Sequence, residues 1–339
     1  LCVLICTWLL SRFPFRRTWP SLFLIFYVLY PESTLLTAGL VALFAFLTWW
    51  QTREYTLTLP KSTTDYLVPF LLLLFCFILY VRTLAPDILP ADNGEFQLVA
   101  TNLGVAHPPG FALYTLLAHL MTRLPIGPSP AYRANLFSAV TSTLALAAIY
   151  VSIYKLTRRY LPSIAAVLAL ATATTYWAQA TTANIRSMTA LFAAVIFLTL
   201  VLFYLASTDG DSTGRADRYL ILFTLALGLG ITHHASLAFL GLIAIIFILL
   251  VDGQLWRSPG RWWRPFLTFL IGLLPFLYLP WRANTAVRGA SPSLATWQGF
   301  WEHALAIGFR GDLFVYLEPA LFIERLKIMH NVLTFQFSY

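Results

Sequence analysis

Eleven apolar runs follow one another along this chain, at 1–10, 19–30, 33–50, 66–85, 109–122, 134–154, 161–178, 188–206, 219–232, 235–251 and 265–281. Most approach the length a helix needs to cross a bilayer, roughly 20 residues at about 1.5 Å each. Of the 339 residues, 59% are hydrophobic and 11% are charged, against about 25% charged in an ordinary soluble domain. Mean hydropathy is +0.74. One soluble core cannot hide that much apolar surface, so a soluble globular domain is excluded, and so are disorder, collagen and a disulfide scaffold. A membrane β-barrel is excluded too, because its strands are short and alternating. The expected fold is all-α, a polytopic transmembrane helix bundle of about ten spans.

The formal net charge of +8 does not call for a nucleic acid. The 22 Lys and Arg lie in short clusters between the apolar runs, which is how the positive-inside rule looks in sequence. Cys2, Cys6 and Cys76 sit inside apolar runs and read as small core residues without disulfide or metal spacing. The run 1–10 is followed, not preceded, by Arg12, Arg16 and Arg17, unlike a signal peptide. Residues 1–60 read as an additional hydrophobic module, and 61–339 as the core, incomplete at its C-terminus because Tyr339 falls in a helical stretch.

The same charges set orientation. Arg12, Arg16 and Arg17 are placed inside, and the run 109–122 is only 14 residues long. If it were a full span, Lys155, Arg158 and Arg159 would fall outside, against the rule. As a juxtamembrane helix in the first outer loop, it leaves thirteen Lys and Arg inside and nine outside. Four segments then share the outer face: 86–108 with its helix, 180–187, 231–235, and everything after Trp281.

Those segments carry the unusual polar residues. Asp92 and Glu95 are three apart, on one face of a helical turn, and suit general-base work or cation binding. The alternative reading is an N-cap by Asp92, with Glu95 completing a capping box. His107-Pro108-Pro109-Gly110 stiffens the chain and opens the next helix, and its His can meet a phosphate or carboxylate. Asn184 and Arg186 end one turn, and Arg186 either snorkels or meets an anionic headgroup. His233 and His234 are adjacent and cannot share a helical face, so a two-His metal site is not expected, while one of them can line a cavity. Arg282 and Arg288 stand at the outer end of a span against the positive-inside trend, and arginine favours bidentate phosphate contacts. His119, His303 and His330 read as packing or interfacial residues. No metal-ligand spacing is apparent.

Taken in order, LAPDILPADNGEFQLVATNLGVAHPPGFALYTLLAHL (84–120), Arg133-Ala134-Asn135-Leu136-Phe137-Ser138, Trp177-x-Gln179-Ala180, Gly228-Leu229-Gly230 with the His pair, and Leu279-Pro280-x-Arg282 resemble a known family. It is the bacterial multi-pass membrane family that includes the eukaryotic transmembrane O-mannosyltransferases. More distantly the layout is similar to the protein O-mannosyltransferases and lipid A aminoarabinose transferases of the GT-C glycosyltransferase superfamily. The resemblance covers roughly 66–325. It implies a GT-C-like fold, a polyprenyl-phosphate sugar as donor, an active site facing outward from a bacterial plasma membrane, and a protein or glycolipid acceptor. It leaves room for a divalent metal. Two departures stand out: the family has Glu-Val-Tyr at Asn184-Ile185-Arg186, and Ser at Asn93.

On that footing Asp92 is the expected base in an inverting transfer of a mannose-type hexose, with Glu95 tuning it. Arg282, Arg288 and His107 are the expected phosphate ligands, and Asn184, Arg186, His233 and His234 line the substrate cavity. The alternative is a non-catalytic GT-C-like scaffold subunit, meeting a membrane partner through residues 1–60. A transporter is disfavoured, since the spans hold almost no mid-bilayer charge.

Overall fold

The computed structural model describes residues 64–209, 214–308 and 321–337, together with Leu43, Phe46, Leu47 and Trp50. The N-terminal module 1–60 therefore lies, but for those four positions, outside the described residues. The helices are α1 (Thr64–Arg82), α2 (Ala91–Asn102), α3 (Ala112–Thr122), α4 (Pro130–Thr157), α5 (Tyr160–Thr172), α6 (Thr174–Ala180) and α7 (Arg186–Thr208). They continue as α8 (Arg215–His233), α9 (Leu237–Val251), α10 (Trp263–Gly272), α11 (Tyr278–Arg282), α12 (Trp297–Ala304) and α13 (Phe322–Phe337). Among the described residues no strand occurs.

The all-helical membrane character holds. Among the described residues three helical stretches can span a bilayer by length and apolarity: Pro130–Thr157, Arg186–Thr208 and Pro259–Arg282. The bent pair α5 and α6, turning by 72°, makes a fourth if it is one span. Tyr66–Arg82 and Leu237–Val251 are apolar but shorter. The count is lower than the apolar runs suggest for two reasons. Three of those runs precede residue 61. Others are cut by breaks that hydropathy does not register, such as the bend at Ala173 between α5 and α6, or form helices too short to count, such as α3 and α9.

Helix α4 is the axis of the bundle. Ser129 starts it, its Oγ accepting from the Tyr132 N–H at 3.1 Å, with Pro130 at the first position where no N–H is needed. Its buried side is made of small residues, among them Ala134, Ser138, Ala139, Ser142 and Ala145, which lets α1, α2, α3, α5 and α7 pack against it. Helices α8 and α10 meet at Gly228 and Gly272, where a Cβ on Gly272 would stand 2.9 Å from the Gly228 Cα. Outward faces stay apolar: Phe239, Leu242, Ile243, Ile246 and Leu250 of α9 are all exposed, a surface suited to hydrocarbon.

Helix α3 has 11 residues, roughly 16 Å and half a hydrocarbon core. It is too short to be a span by itself. It does not lie open on the surface, however, since Leu113, Tyr114, Thr115, Ala118 and His119 are buried.

The bundle has two chemically different ends. At one, Arg261 bridges Asp217 at 2.9 Å and Asp252 at 2.8 Å, tying the start of α8 to the end of α9. Following the chain through α4, α7, α8 and α9, Lys155, Arg158, Arg215 and Arg257 belong to that end too. At the other end the four polar segments converge.

Candidate active site

Contacts knit those four segments together. The Ala85 N–H donates to Thr181 O at 3.0 Å, and the Ala183 N–H to Asn135 Oδ1 at 2.9 Å. The Val105 N–H donates to Arg288 O at 2.8 Å. His303 Nε2 lies 3.2 Å from Ala106 O. The α8–α9 turn joins through His233 Nε2, 3.0 Å from Ile185 O, so the loop before α2, the α6–α7 turn, the α8–α9 turn and the segment after Trp281 form one surface.

Helix α2 presents the carboxylates. Pro90 is its N-cap, with no side-chain capping bond. The capping-box alternative is therefore not realised, and both carboxylates are left for other partners. Asp92 is exposed. Glu95 turns to the next loop, where Oε1 accepts the His107 backbone N–H at 2.8 Å and Oε2 lies 2.8 Å from His107 Nδ1. An ionised carboxylate only accepts, so Nδ1 carries the proton and Nε2 is presented outward. The His107 ring is wedged between Phe96 at 5.7 Å and Phe111 at 5.4 Å. Gly110 makes the turn possible: its φ is +84°, and a Cβ would strike Leu279 and His303.

Asp92, Glu95 and His107 each offer a ligand atom within 4.8 Å of the others. That set of two carboxylates and an imidazole fits a divalent cation. No ligand spacing in the sequence announces it, because the histidine arrives from a separate loop.

The expected cavity residues divide. Asn184 is 2% exposed and fully engaged. Its Oδ1 accepts from the Arg186 N–H at 2.8 Å and the Ser187 N–H at 3.2 Å, while Nδ2 donates to Gln179 O and Thr182 O. It is a helix-start clamp for α7. His233 is buried, with Nε2 2.9 Å from Thr189 Oγ1 and 3.0 Å from Ile185 O. His234 faces the site, 5.7 Å from Phe111. Arg186 is exposed.

Arg282 stands elsewhere. Its Nε donates to Leu103 O at 2.9 Å and its guanidinium lies over Trp281. Leu103 follows α2, roughly 16 Å along the helix from Asp92. Tyr278 Oη donates to Gly104 O at 2.5 Å, and Arg288 contributes its backbone carbonyl beside it. Together they brace the strap 103–106 that returns His107 to Glu95.

Two residues that the sequence left without a role fix the carboxylate helix. Gln97 Oε1 accepts from the Leu89 N–H at 2.9 Å, and its Nε2 donates to Asn135 Oδ1 at 2.9 Å. Asn135 Nδ2 donates to Ala85 O at 2.8 Å. Both side chains are buried. Their signal was an amide in otherwise apolar surroundings. His303, read from sequence as packing, abuts Gly110, and burial holds its pKa below the ordinary value.

Comparison with known proteins adds the following. The family described as protein O-mannosyl-transferase TMEM260 N-terminal domain matches residues 92–257. The chain is 32% identical over 223 residues to protein O-mannosyl-transferase TMEM260 of Mus musculus, covering 62% of this chain and 31% of that protein. It is 25% identical over 290 residues to protein O-mannosyl-transferase tmem260 of Dictyostelium discoideum, covering 80% of this chain and 35% of that one. The chain thus spans about a third of the curated relatives it matches. No solved structure matches.

Proposed function

We propose that this chain, O-mannosyltransferase-like over residues 92–257, carries the transfer site of a membrane glycosyltransferase. The donor is a polyprenyl-phosphate mannose, and the acceptor is a hydroxyl of a protein. The observation that carries the reading is the exposed Asp92 beside the Glu95–His107 pair, on the end of the bundle remote from the Arg261 cluster.

In the transfer, the acceptor oxygen attacks the sugar anomeric carbon and its proton passes to Asp92. The bond from that carbon to the phosphate oxygen breaks, and the leaving prenyl phosphate keeps the electron pair. One displacement inverts the anomeric centre. Glu95 holds His107 through Nδ1, and as an imidazolium the ring donates from Nε2 to the phosphate and favours the charge that develops there. A GT-C-like bundle of about ten spans, with the site on the outer face of the membrane, accommodates the donor's tail among apolar helices. If Asp92, Glu95 and His107 hold a divalent cation, it supplies charge for the same phosphate.

The scaffold reading draws on Asn184, whose polar atoms are all committed to the α6–α7 turn where the resembling family has a carboxylate. One assay decides. Membranes bearing the full-length protein are given labelled polyprenyl-phosphate mannose and a Ser/Thr-rich protein acceptor. Alkali-labile label on the acceptor with inverted configuration supports the transferase. No label, with the protein intact and stably bound to membrane partners, sinks it and favours the scaffold.

A further inference from the structure

The sequence points to Arg282 and Arg288 for the donor phosphate, but the Arg282 guanidinium is held at the far end of α2. A different group of donors stands next to the Glu95–His107 pair. Phe111 packs against His107 at 5.4 Å on one side and against His234 at 5.7 Å on the other. Ile185 O is 3.0 Å from His233 Nε2, which fixes the start of α7 against the end of α8. That contact sets Arg186 beside His234.

Each group has the chemistry of an anion donor. The Ser236 N–H donates to His234 Nδ1 at 3.2 Å. An N–H pairs only with a lone pair, so Nδ1 is unprotonated and Nε2 carries the hydrogen. Arg186 is exposed, and among the described residues its guanidinium has neither a hydrogen bond nor an ion pair. Glu95 is already committed to His107. Asn184 holds the Arg186 backbone at 2.8 Å, so the cation is aimed from a fixed base. Burial and the Arg186 charge both hold the His234 pKa below its ordinary value, which keeps the ring neutral and donating at Nε2.

We propose that Arg186 and His234 form the phosphate subsite of this chain, taking the phosphate of a prenyl-linked ligand beside Phe111. The proposal rests on the transferase reading for the identity of the donor, but its binding chemistry is tested apart from transfer.

The experiment uses the full chain in phosphatidylcholine nanodiscs, titrated with farnesyl phosphate and followed by tryptophan fluorescence. Farnesol, inorganic phosphate and discs containing phosphatidylglycerol are the comparison arms. Farnesyl phosphate is expected to bind. Arg186→Gln is expected to weaken it about tenfold or more, Arg186→Lys less, and Arg218→Gln at the opposite end not at all. Thermal midpoints of the variants check that the fold is kept, as the exposure of Arg186 leads one to expect. Wild-type affinity in Arg186→Gln overturns the proposal. So does equal binding of farnesol or inorganic phosphate, or equal displacement by phosphatidylglycerol, which marks a headgroup contact. Arg186-dependent binding without any mannosyl transfer leaves the subsite standing and removes the transferase reading.

Discussion

Glu95 holds His107 twice, once through the backbone N–H and once through the ring, each at 2.8 Å. The double contact spans twelve residues and closes the strap 103–106 onto α2. It leaves Asp92, one turn earlier on the helix, without a capping duty.

Asp92→Asn tests that freedom. The side chain is exposed and caps nothing, so the thermal midpoint is expected to stay within a degree or two. Transfer from lipid-linked mannose is expected to fall by about 10²–10⁴, the usual worth of a positioned base. Transfer unchanged in membranes removes Asp92 from the chemistry.

Glu95→Gln is expected to lower kcat by roughly tenfold or more while KM moves little, because the ring loses the anion that orients it. In a double-mutant cycle with His107→Ala, the two losses should be strongly non-additive. Additive losses mean that the two side chains act independently.

Asn135→Ala leaves the Ala183 N–H and Ala85 O without this partner and takes one of the two acceptors of Gln97 Nε2, which keeps Asp87 O. Each buried orphan costs about 1–3 kcal/mol. A fall in the thermal midpoint of several degrees is expected, with transfer lost as α2 shifts. A variant as stable as the wild type contradicts the assignment of this amide as the tie between α2, α4 and the α6–α7 turn.

Gly272→Ala places a methyl 2.9 Å from the Gly228 backbone. Neither helix can yield locally, so destabilisation of about 1–3 kcal/mol is expected. Thermal unfolding in detergent reads it, and an unaffected midpoint means that α8 and α10 are not in close contact.

The pH dependence has a definite sign. Burial lowers the His303 pKa from 6.5 in the folded chain, and the contact with Ala106 O offsets this only in part. The unfolded chain then binds more protons just below that value, so stability is full above about pH 6.5 and falls as acid is added. His303→Gln is expected to flatten part of this slope in a series of thermal midpoints between pH 8 and pH 5. An identical slope in wild type and variant points to another group.

Part of the candidate site is legible in the sequence. Asp92, Glu95 and the His107 turn stood out as polar residues beside apolar runs, and a count of Lys and Arg grouped them with 180–187 and 231–235. The same logic overrated Arg282, since charge against the positive-inside trend marks a position along a span, not a direction for the side chain. Gln97 and Asn135 received no role because an amide carries no charge and the partners lie 38 and 48 residues away.

By itself the sequence determined that this is an all-helical membrane chain with its polar chemistry gathered at helix ends. That follows from the transfer cost of each residue, a property of side chain and solvent alone. Only the tertiary structure decided that Glu95 meets His107, that Asn184 clamps rather than faces a cavity, and that Arg186 stands with His234. Those pairings depend on which helix ends pack together and on where bends such as the 72° turn between α5 and α6 redirect the chain. Hydropathy is blind to both, because a bend changes no residue's affinity for lipid.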